Sequence, residues 1–484
     1  MKKIFLIITG IMIFSSCEED FLDQFPPQQL TAGNFYETED QMIQAGNAVY
    51  NELKTVWGVL SLPYIFGDLY GGDSYIYLSP GTAGDWVELG NTVADPGLSP
   101  PAGAWNEYYQ GIFNVNDFLE ELDGFDESKF SSPDMESMLR AQALFVRASF
   151  YYYLSEVFGD VPLVTSVLTP SEAIVLTRNP KSAVVAQIIE DLSFAANNLP
   201  GSYDADDAGR PTSYAAKAML ARVYMANGDN SSAESQLSDI INSGMFSLDS
   251  DGNGTVDPQD YLHIFDDDTR NSPSAILELQ YIPGAAGKHH AYGVAYAPFP
   301  RLEIPGYDLE PETFGLGAVS DALHNAFEPA DSIRQKITSV REKSDGTFWP
   351  HTAKYYWGYD DGTPYLFGSN VTIIRYAEIL LNYAELTGDP QYLNMVRARA
   401  GLPGWGEPGY PTNLYPTFAE ALEHERRVEL AFEFQRGFDL KRTGRLLEVK
   451  SEEQGRSIPA HQLVLPIPTP VLDVNVQMTQ TTGY

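Results

Sequence analysis

The chain has 484 residues and only one cysteine, Cys17. Without a second thiol there can be no intrachain disulfide and no zinc site built on cysteines. Positive charge is also short. Thirty Lys and Arg face 66 Asp and Glu, giving a net charge of -36. A surface of that sign repels nucleic-acid phosphates and anionic headgroups, which argues against a nucleic-acid binder. The histidines (His263, His289, His290, His324, His351, His424 and His461) include no pair at helical ligand spacing and no His-Glu-x-x-His. His289 and His290 read as exposed loop residues. Neither a Gly-x-Ser-x-Gly elbow nor a Gly-Lys-Ser/Thr phosphate loop occurs. Carboxylates are so numerous that no glycosidase-like pair can be picked out, because such a pair is defined by its separation in space.

What the chain does have is apolar material and rings. Hydrophobic residues make up 43%, enough for a sizeable core and too much for a disordered chain. Tyr (29) and Phe (25) accompany 40 Gly and 32 Pro, which suggests ordered loops carrying aromatic side chains. The first residues are a separate unit. Lys2 and Lys3 precede the apolar run Ile4–Phe14, and the small residues Ser15 and Ser16 lead into Cys17. The run is too short for a mature membrane span and reads as a secretory signal. It resembles a bacterial lipoprotein signal, with Phe14 where Leu is usual, so residues 1–16 are expected to be removed and Cys17 lipidated. Glu18-Glu19-Asp20 then resembles a surface-export signal of Bacteroidetes lipoproteins. No later stretch approaches 18 continuous apolar residues.

Helical periodicity dominates the body. Helices are expected over Asn34–Leu53, Trp105–Leu122, Met135–Val157 and Lys181–Leu199, with residues 58–103 mostly loop. Ser213–Met225 and Ser232–Ile241 flank a Gly228-Asp229 turn, and Ala215, Ala216, Ala218 and Ala221 would allow close helix approach. This is the pattern of a tetratricopeptide-like hairpin. A second hairpin is expected at Ile373–Glu385 and Leu393–Ala400 around Gly388-Asp389-Pro390. Residues 245–370 and 401–416 read as insertions, with a strand-like run at Ala275–Tyr281. Thr417–Lys441 reads as one long amphipathic helix.

One insertion contains a calcium-type loop. Asp249, Asp251, Asn253, Thr255, Asp257 and Asp260 take positions 1, 3, 5, 7, 9 and 12, with Gly254 at position 6. That alternation supplies clustered hard oxygen ligands for Ca2+. Asp260 replaces the usual Glu, and the preceding segment is a poor helix. A structural Ca2+ is expected, and no organic cofactor. The alternative is an acidic turn without metal.

Rings on loops suggest a different chemistry. Tyr70, Tyr75, Tyr77, Trp86, Tyr296, Trp349 and Trp357 are candidate platforms for stacking on sugar rings, while loop anchoring is the alternative for each. Trp105, at a helix start with apolar partners, reads as core. No catalytic residue is nominated.

Many blocks resemble one family in order. They include Phe21-Leu22-Asp23, Trp105 with Asn116, and Arg147-Ala148 followed by Phe158-Gly159-Asp160-Val161-Pro162-Leu163. Ala221-Arg222-Val223-Tyr224, Arg375-Tyr376-Ala377-Glu378 and Arg397-Ala398-Arg399-Ala400-Gly401-Leu402 follow. The last are Glu425-Arg426-Arg427-Val428-Glu429-Leu430, Asp439-Leu440-Lys441-Arg442 and Leu465-Pro466-Ile467-Pro468. From Cys17 to Tyr484 the chain resembles the SusD/RagB family of Bacteroidetes outer-membrane glycan-binding lipoproteins.

The resemblance implies a mainly α fold built on four tetratricopeptide-like helical hairpins, with long loop and short-strand excursions. Residues 1–16 would be the signal, 17–33 a lipid-anchored lead and 34–484 one domain. Within that domain, 34–244 would be a helical half, 245–370 a loop-rich excursion and 371–484 a second helical part. It also implies a non-catalytic surface protein that hands oligosaccharides or polysaccharides to a SusC-like TonB-dependent barrel, held on the outer membrane by its lipid. The charged residues of 425–442 would be an ion-paired framework. Three alternatives remain: a peptide or other non-glycan cargo, a surface glycosidase, and a purely structural lid.

Overall fold

Thr38 sets where the first helix begins. Its hydroxyl accepts from the Gln41 N–H, and Gln41 accepts in return from the Thr38 N–H at 3.0 Å. Helix α1 (Glu39–Asn51) therefore starts later than periodicity suggests. Helix α2 (Ser99–Gly124) starts earlier than Trp105, because Pro100 and Pro101 fit a first turn that needs no N–H donor. Helix α3 (Pro133–Phe158) is capped by Ser132 and stopped by Gly159 at φ 78°. Helices α4 (Lys181–Asn198), α5 (Ser213–Ala226) and α6 (Asn230–Asn242) follow. Gly228 (φ 77°) and the Asp229 cap make the tight turn between α5 and α6. Helices α7 (Tyr376–Thr387) and α8 (Pro390–Arg399) repeat that device with Gly388 in the left-handed region and Asp389 as cap.

The computed structural model describes residues 36–76, 84–266, 269–282, 290–296, 303–304, 307–308, 317–341, 350–357 and 368–484. Cys17, the signal-like segment 1–16 and the lead 17–33 lie outside the described residues. So do Tyr77, His289 and Trp349.

From α2 to α8 each helix packs on the next in chain order. The buried faces of Ala215, Ala216, Ala218 and Ala221 let α5 lie close to its neighbours. Helix α6 packs directly on α7 although residues 243–375 separate them in sequence. The chain thus has the expected mainly α architecture of helical hairpins carrying excursions. Its apolar core is continuous from Met42 to Met478, and a smaller cluster forms around Tyr261, Phe265, Ile337 and Tyr356. No helix among the described residues is long and apolar enough to cross a membrane.

The strands form antiparallel pairs. Strand β1 (Ser74–Tyr75) pairs with β5 (Ala318–Val319), β2 (Ala275–Leu279) with β6 (Val371–Arg375), and β3 (Glu303–Ile304) with β4 (Tyr307–Asp308). Strand β2 is the run expected at Ala275–Tyr281. Strand β6 corrects an expectation, since Ile373 and Ile374 were assigned to a helix. The β-branched series Val371-Thr372-Ile373-Ile374 is instead fully buried in a ladder, and the helix begins at Tyr376.

Two further expectations fail. Residues 58–103 are less irregular than their Gly and Pro suggest. Pro63–Leu69 forms a wide turn of π-helix with every residue buried, and Gly84–Gly90 is a short helix. The expected helix Thr417–Lys441 is broken into α9 (Phe418–Leu430) and α10 (Arg436–Arg442), followed by α11 (Leu446–Gln454). At the break, Phe432 and Phe434 take positive φ values of 61° and 66°. That costs backbone strain, but it turns the Phe434 N–H onto Asp68 at 3.1 Å, the Phe432 carbonyl onto the Tyr355 hydroxyl, and Glu433 into the core.

Candidate functional site

The charged residues of α9 form a buried framework. Glu425 Oε1 meets Arg334 at 2.6 Å and its Oε2 meets Arg397 at 2.9 Å. Glu429 pairs with Arg334 at 2.8 Å and also with Arg375 and Arg399. Glu433 takes Arg375 at 2.6 Å and Lys354 at 2.7 Å. Burial alone would raise the Glu429 carboxyl, but Arg375, Arg399 and Arg334 outweigh it and hold it well below the ordinary carboxylate range. Glu425 and Glu433 are lowered in the same way. Acids locked in the ionised form cannot serve as proton donors, so this network is scaffold. That agrees with the framework role expected for residues 425–442.

The aromatic candidates divide into three groups. Tyr70 and Tyr296 are fully buried, so they cannot offer a face to a sugar. Tyr70 stacks on Phe66 at 5.1 Å and donates to the Gln462 carbonyl at 2.7 Å, because the π-turn draws it inward. Tyr296 sits inside a column of rings. Tyr77 and Trp349 are outside the described residues. Tyr75, Trp86 and Trp357 remain, and each is half-buried.

Of these three, Trp86 joins the column directly. Trp86 packs on Tyr64 at 5.9 Å, Tyr64 on Tyr296 at 5.4 Å, and Tyr296 on Tyr355 at 4.8 Å. Tyr292 stacks on Tyr355 at 4.9 Å. Trp357 packs instead on the smaller cluster around Tyr261, Phe265 and Tyr356, and the Lys336 ammonium lies 4.8 Å from its ring centroid. The short helix carrying Trp86 contacts β1, which holds Tyr75. Further ties gather the chain here: Val319 N–H to the Pro350 carbonyl at 3.3 Å and Ser320 N–H to the Asp73 carbonyl at 3.0 Å. The result is a buried stack that ends in the half-buried ring of Trp86, the kind of support a stacking platform needs. Like Tyr296, Tyr292 reads from sequence as a loop ring and is buried in the column, and nothing local marks Tyr64 or Tyr355. Their roles depend on long-range packing that no local spacing reports.

Beneath the column lies Asp68. Burial, reinforced by Asp73, pushes its carboxyl well above the usual range. His290 corrects the expectation of exposure. It is buried, with Nε2 3.1 Å from Ser369 Oγ and Nδ1 accepting from the Tyr292 N–H at 3.2 Å.

The acidic loop Asp249–Asp260 folds around its own carboxylates. Asp249 accepts from the N–H groups of Asn253 (3.1 Å) and Gly254 (2.7 Å), and Asn253 Oδ1 accepts from Thr255 at 2.8 Å. Gly254 has φ 86°, the turn that the position requires. Buried Asp260 accepts from Ser250 at 2.6 Å and Asp257 at 2.8 Å. One carboxylate oxygen each from Asp249, Asp251 and Asp260 lie within 4.8 Å of one another, a donor set that suits a hard cation.

Comparison with known proteins places this geometry in context. A family model described as starch-binding and associating with the outer membrane matches residues 72–225. A SusD-family model matches residues 338–484. A SusD-like protein of Formosa agariphila is 27% identical, covering 98% of this chain and 97% of its own. One from Bacteroides ovatus is 26% identical, covering 91% and 82%. Among solved structures, a laminarin-binding SusD-like protein superposes with a TM-score of 0.76 at 25% identity, over 93% of this chain and all of its own. Surface glycan-binding protein A of Bacteroides thetaiotaomicron, solved with laminarihexaose, gives a TM-score of 0.74 at 21% identity, over 92% of this chain and 99% of that one.

Proposed function

Because the chain belongs to the SusD/RagB family, we propose that it captures oligosaccharides at the cell surface and passes them to a SusC-like TonB-dependent barrel without cleaving them. The observation that carries this reading is the likeness, over nearly the whole chain, to a laminarin-binding SusD-like protein. Lipidation at Cys17 would anchor the protein to the outer membrane. Tyr75, Trp86 and Trp357 are the proposed ring platforms. A neutral glycan suits a chain of net charge -36, which would repel an anionic one.

Calorimetry with laminarihexaose and a panel of neutral oligosaccharides tests the reading. Trp86→Ala and Trp357→Ala are each expected to weaken binding by about tenfold, the scale of a lost aromatic contact. Binding that neither change weakens would move the site elsewhere, and no binding to any glycan would favour another cargo. Incubation with the same glycans should release no new reducing ends, and their appearance would make the protein an enzyme.

The Asp249–Asp260 loop is proposed to hold a structural Ca2+. The ion would pin the excursion and take no part in chemistry. Chelation is expected to lower the melting temperature by about 2–5 °C relative to saturating Ca2+. In Asp249→Asn the two conditions should give the same melting temperature. An unchanged wild-type melting curve would refute the site.

A further inference from the structure

A cleft of about 440 Å3 opens between α9 and α10, with Asp73, Glu385 and Arg445 at its edges. Its floor is apolar, formed by Phe418, Leu422, Leu430 and Leu440. Its walls are ionic, and nearly every guanidinium there has a close carboxylate. Arg426 meets Asp439 at 2.8 Å, Arg427 meets Asp73 at 2.7 Å, and Arg445 meets Glu448 at 2.6 Å. Arg442 holds Glu385 and meets Asp439 at 3.0 Å.

Arg436 is the exception. Its side chain is 7% exposed, and its one ion pair among the described residues is a long 3.4 Å contact to Glu423. Glu423 is itself shared with Arg445 at 3.2 Å. The Arg436 Nε is buried and has no hydrogen-bond partner among the described residues. Burial and the adjacent Arg427 charge push the Arg436 pKa down, an unusual direction in so acidic a chain. A buried guanidinium N–H left unsatisfied beside a long, shared ion pair is costly.

We propose that this cleft is a binding site for a carboxylate borne on a compact body, with Arg436 as its principal ligand. A planar monoanion matches the guanidinium fork. The carboxylates of Glu420, Glu423, Asp73 and Asp439, which line the same walls, repel any anion, and a phosphate or sulfate dianion about twice as strongly as a monoanion. The apolar floor accommodates the aliphatic neighbour of the carboxylate, and the volume lies within the range of small-ligand pockets. The site is independent of the proposed glycan capture, since it uses other residues and takes an anion where that site takes a neutral sugar.

Titration calorimetry on the full chain tests it with three probes: N-acetylleucine, its amide and glucuronate. N-acetylleucine is expected to bind, and the amide to bind at least about tenfold more weakly. Arg436→Gln should remove the difference. Glu423→Gln should tighten binding by relieving repulsion. Binding of glucuronate with the same dependence on Arg436 supports the site and identifies a sugar acid as the source. Should Arg436→Gln not fold, Arg436→Lys keeps the charge and loses the fork, and it should still weaken binding. The proposal is overturned if neither acid binds at about 10 mM, if acid and amide bind alike, or if binding survives the loss of the Arg436 fork.

Discussion

Glu429→Ala should lower the stability of the folded chain by about 3–5 kcal/mol, or prevent folded protein from accumulating. Glu429 is fully buried and compensates Arg334, Arg375 and Arg399, three guanidiniums that are themselves almost completely buried. Removing the acid leaves those charges in a low-dielectric interior with too few partners. The penalty is their desolvation, which exceeds what the pair itself contributed. Denaturant unfolding measures it, and a loss under about 1 kcal/mol would show that the network is not needed for folding.

The Glu429→Gln variant separates charge from shape and adds a pH signature. In the folded chain the Glu429 carboxyl titrates well below its ordinary range, despite burial, because of Arg375, Arg399 and Arg334. Its stabilising contribution is therefore complete above the unfolded glutamate value of about 4.3 and is lost as pH falls through the folded one. The stability gap between wild type and Glu429→Gln should be constant near neutrality and close as the solution is acidified below about pH 4.

Gly437→Ala is the second severe change. A Cβ at Gly437 would run into the Phe66 carbonyl, and one at Gly67 into the Phe434 carbonyl. The π-turn and the start of α10 are thus in backbone-to-backbone contact. Neither side is a flexible side chain that can step aside, so a loss of about 3 kcal/mol is expected. Gly228→Ala makes a useful contrast. Its Cβ would meet nothing within 4 Å, and only its φ of 77° resists substitution, so a loss of about 1 kcal/mol is expected. Equal melting temperatures for wild type and Gly437→Ala would contradict the close approach.

The same pair of glycines shows what the sequence could and could not reveal. Local signals were legible. Alanine faces and Gly-Asp turns marked the α5–α6 hairpin, and the β-rich run 275–281 marked β2. Ile373 and Ile374 were misassigned because a short apolar run before a helix looks the same in either state. Only its pairing with β2 decides. The break in α9–α10 was invisible for a related reason. The amphipathic pattern continues through Phe432 and Phe434, and it takes Asp68, Tyr355 and Gly67, far away in the chain, to hold those residues at positive φ. Tyr70 and Tyr296 were misread because Gly, Pro and Asp around a ring imply a loop, whereas burial is decided by what packs over it. Arg436 lay inside a block recognised as framework. Its incomplete pairing becomes visible only when every neighbouring carboxylate is assigned to another arginine.

The direct seam between α6 and α7 bears on how the molecule assembles. Helices α2 to α6 can dock in chain order, with no connection between them longer than residues 159–180. The α6–α7 contact must wait until residues 243–375 have been reeled into a closed loop, the costliest closure in the superhelix. Until then the face of α6 that packs on α7 has no partner. Refolding should therefore stall on an intermediate with α2–α6 in place and this seam open, and that face is where one unfinished chain would adhere to another.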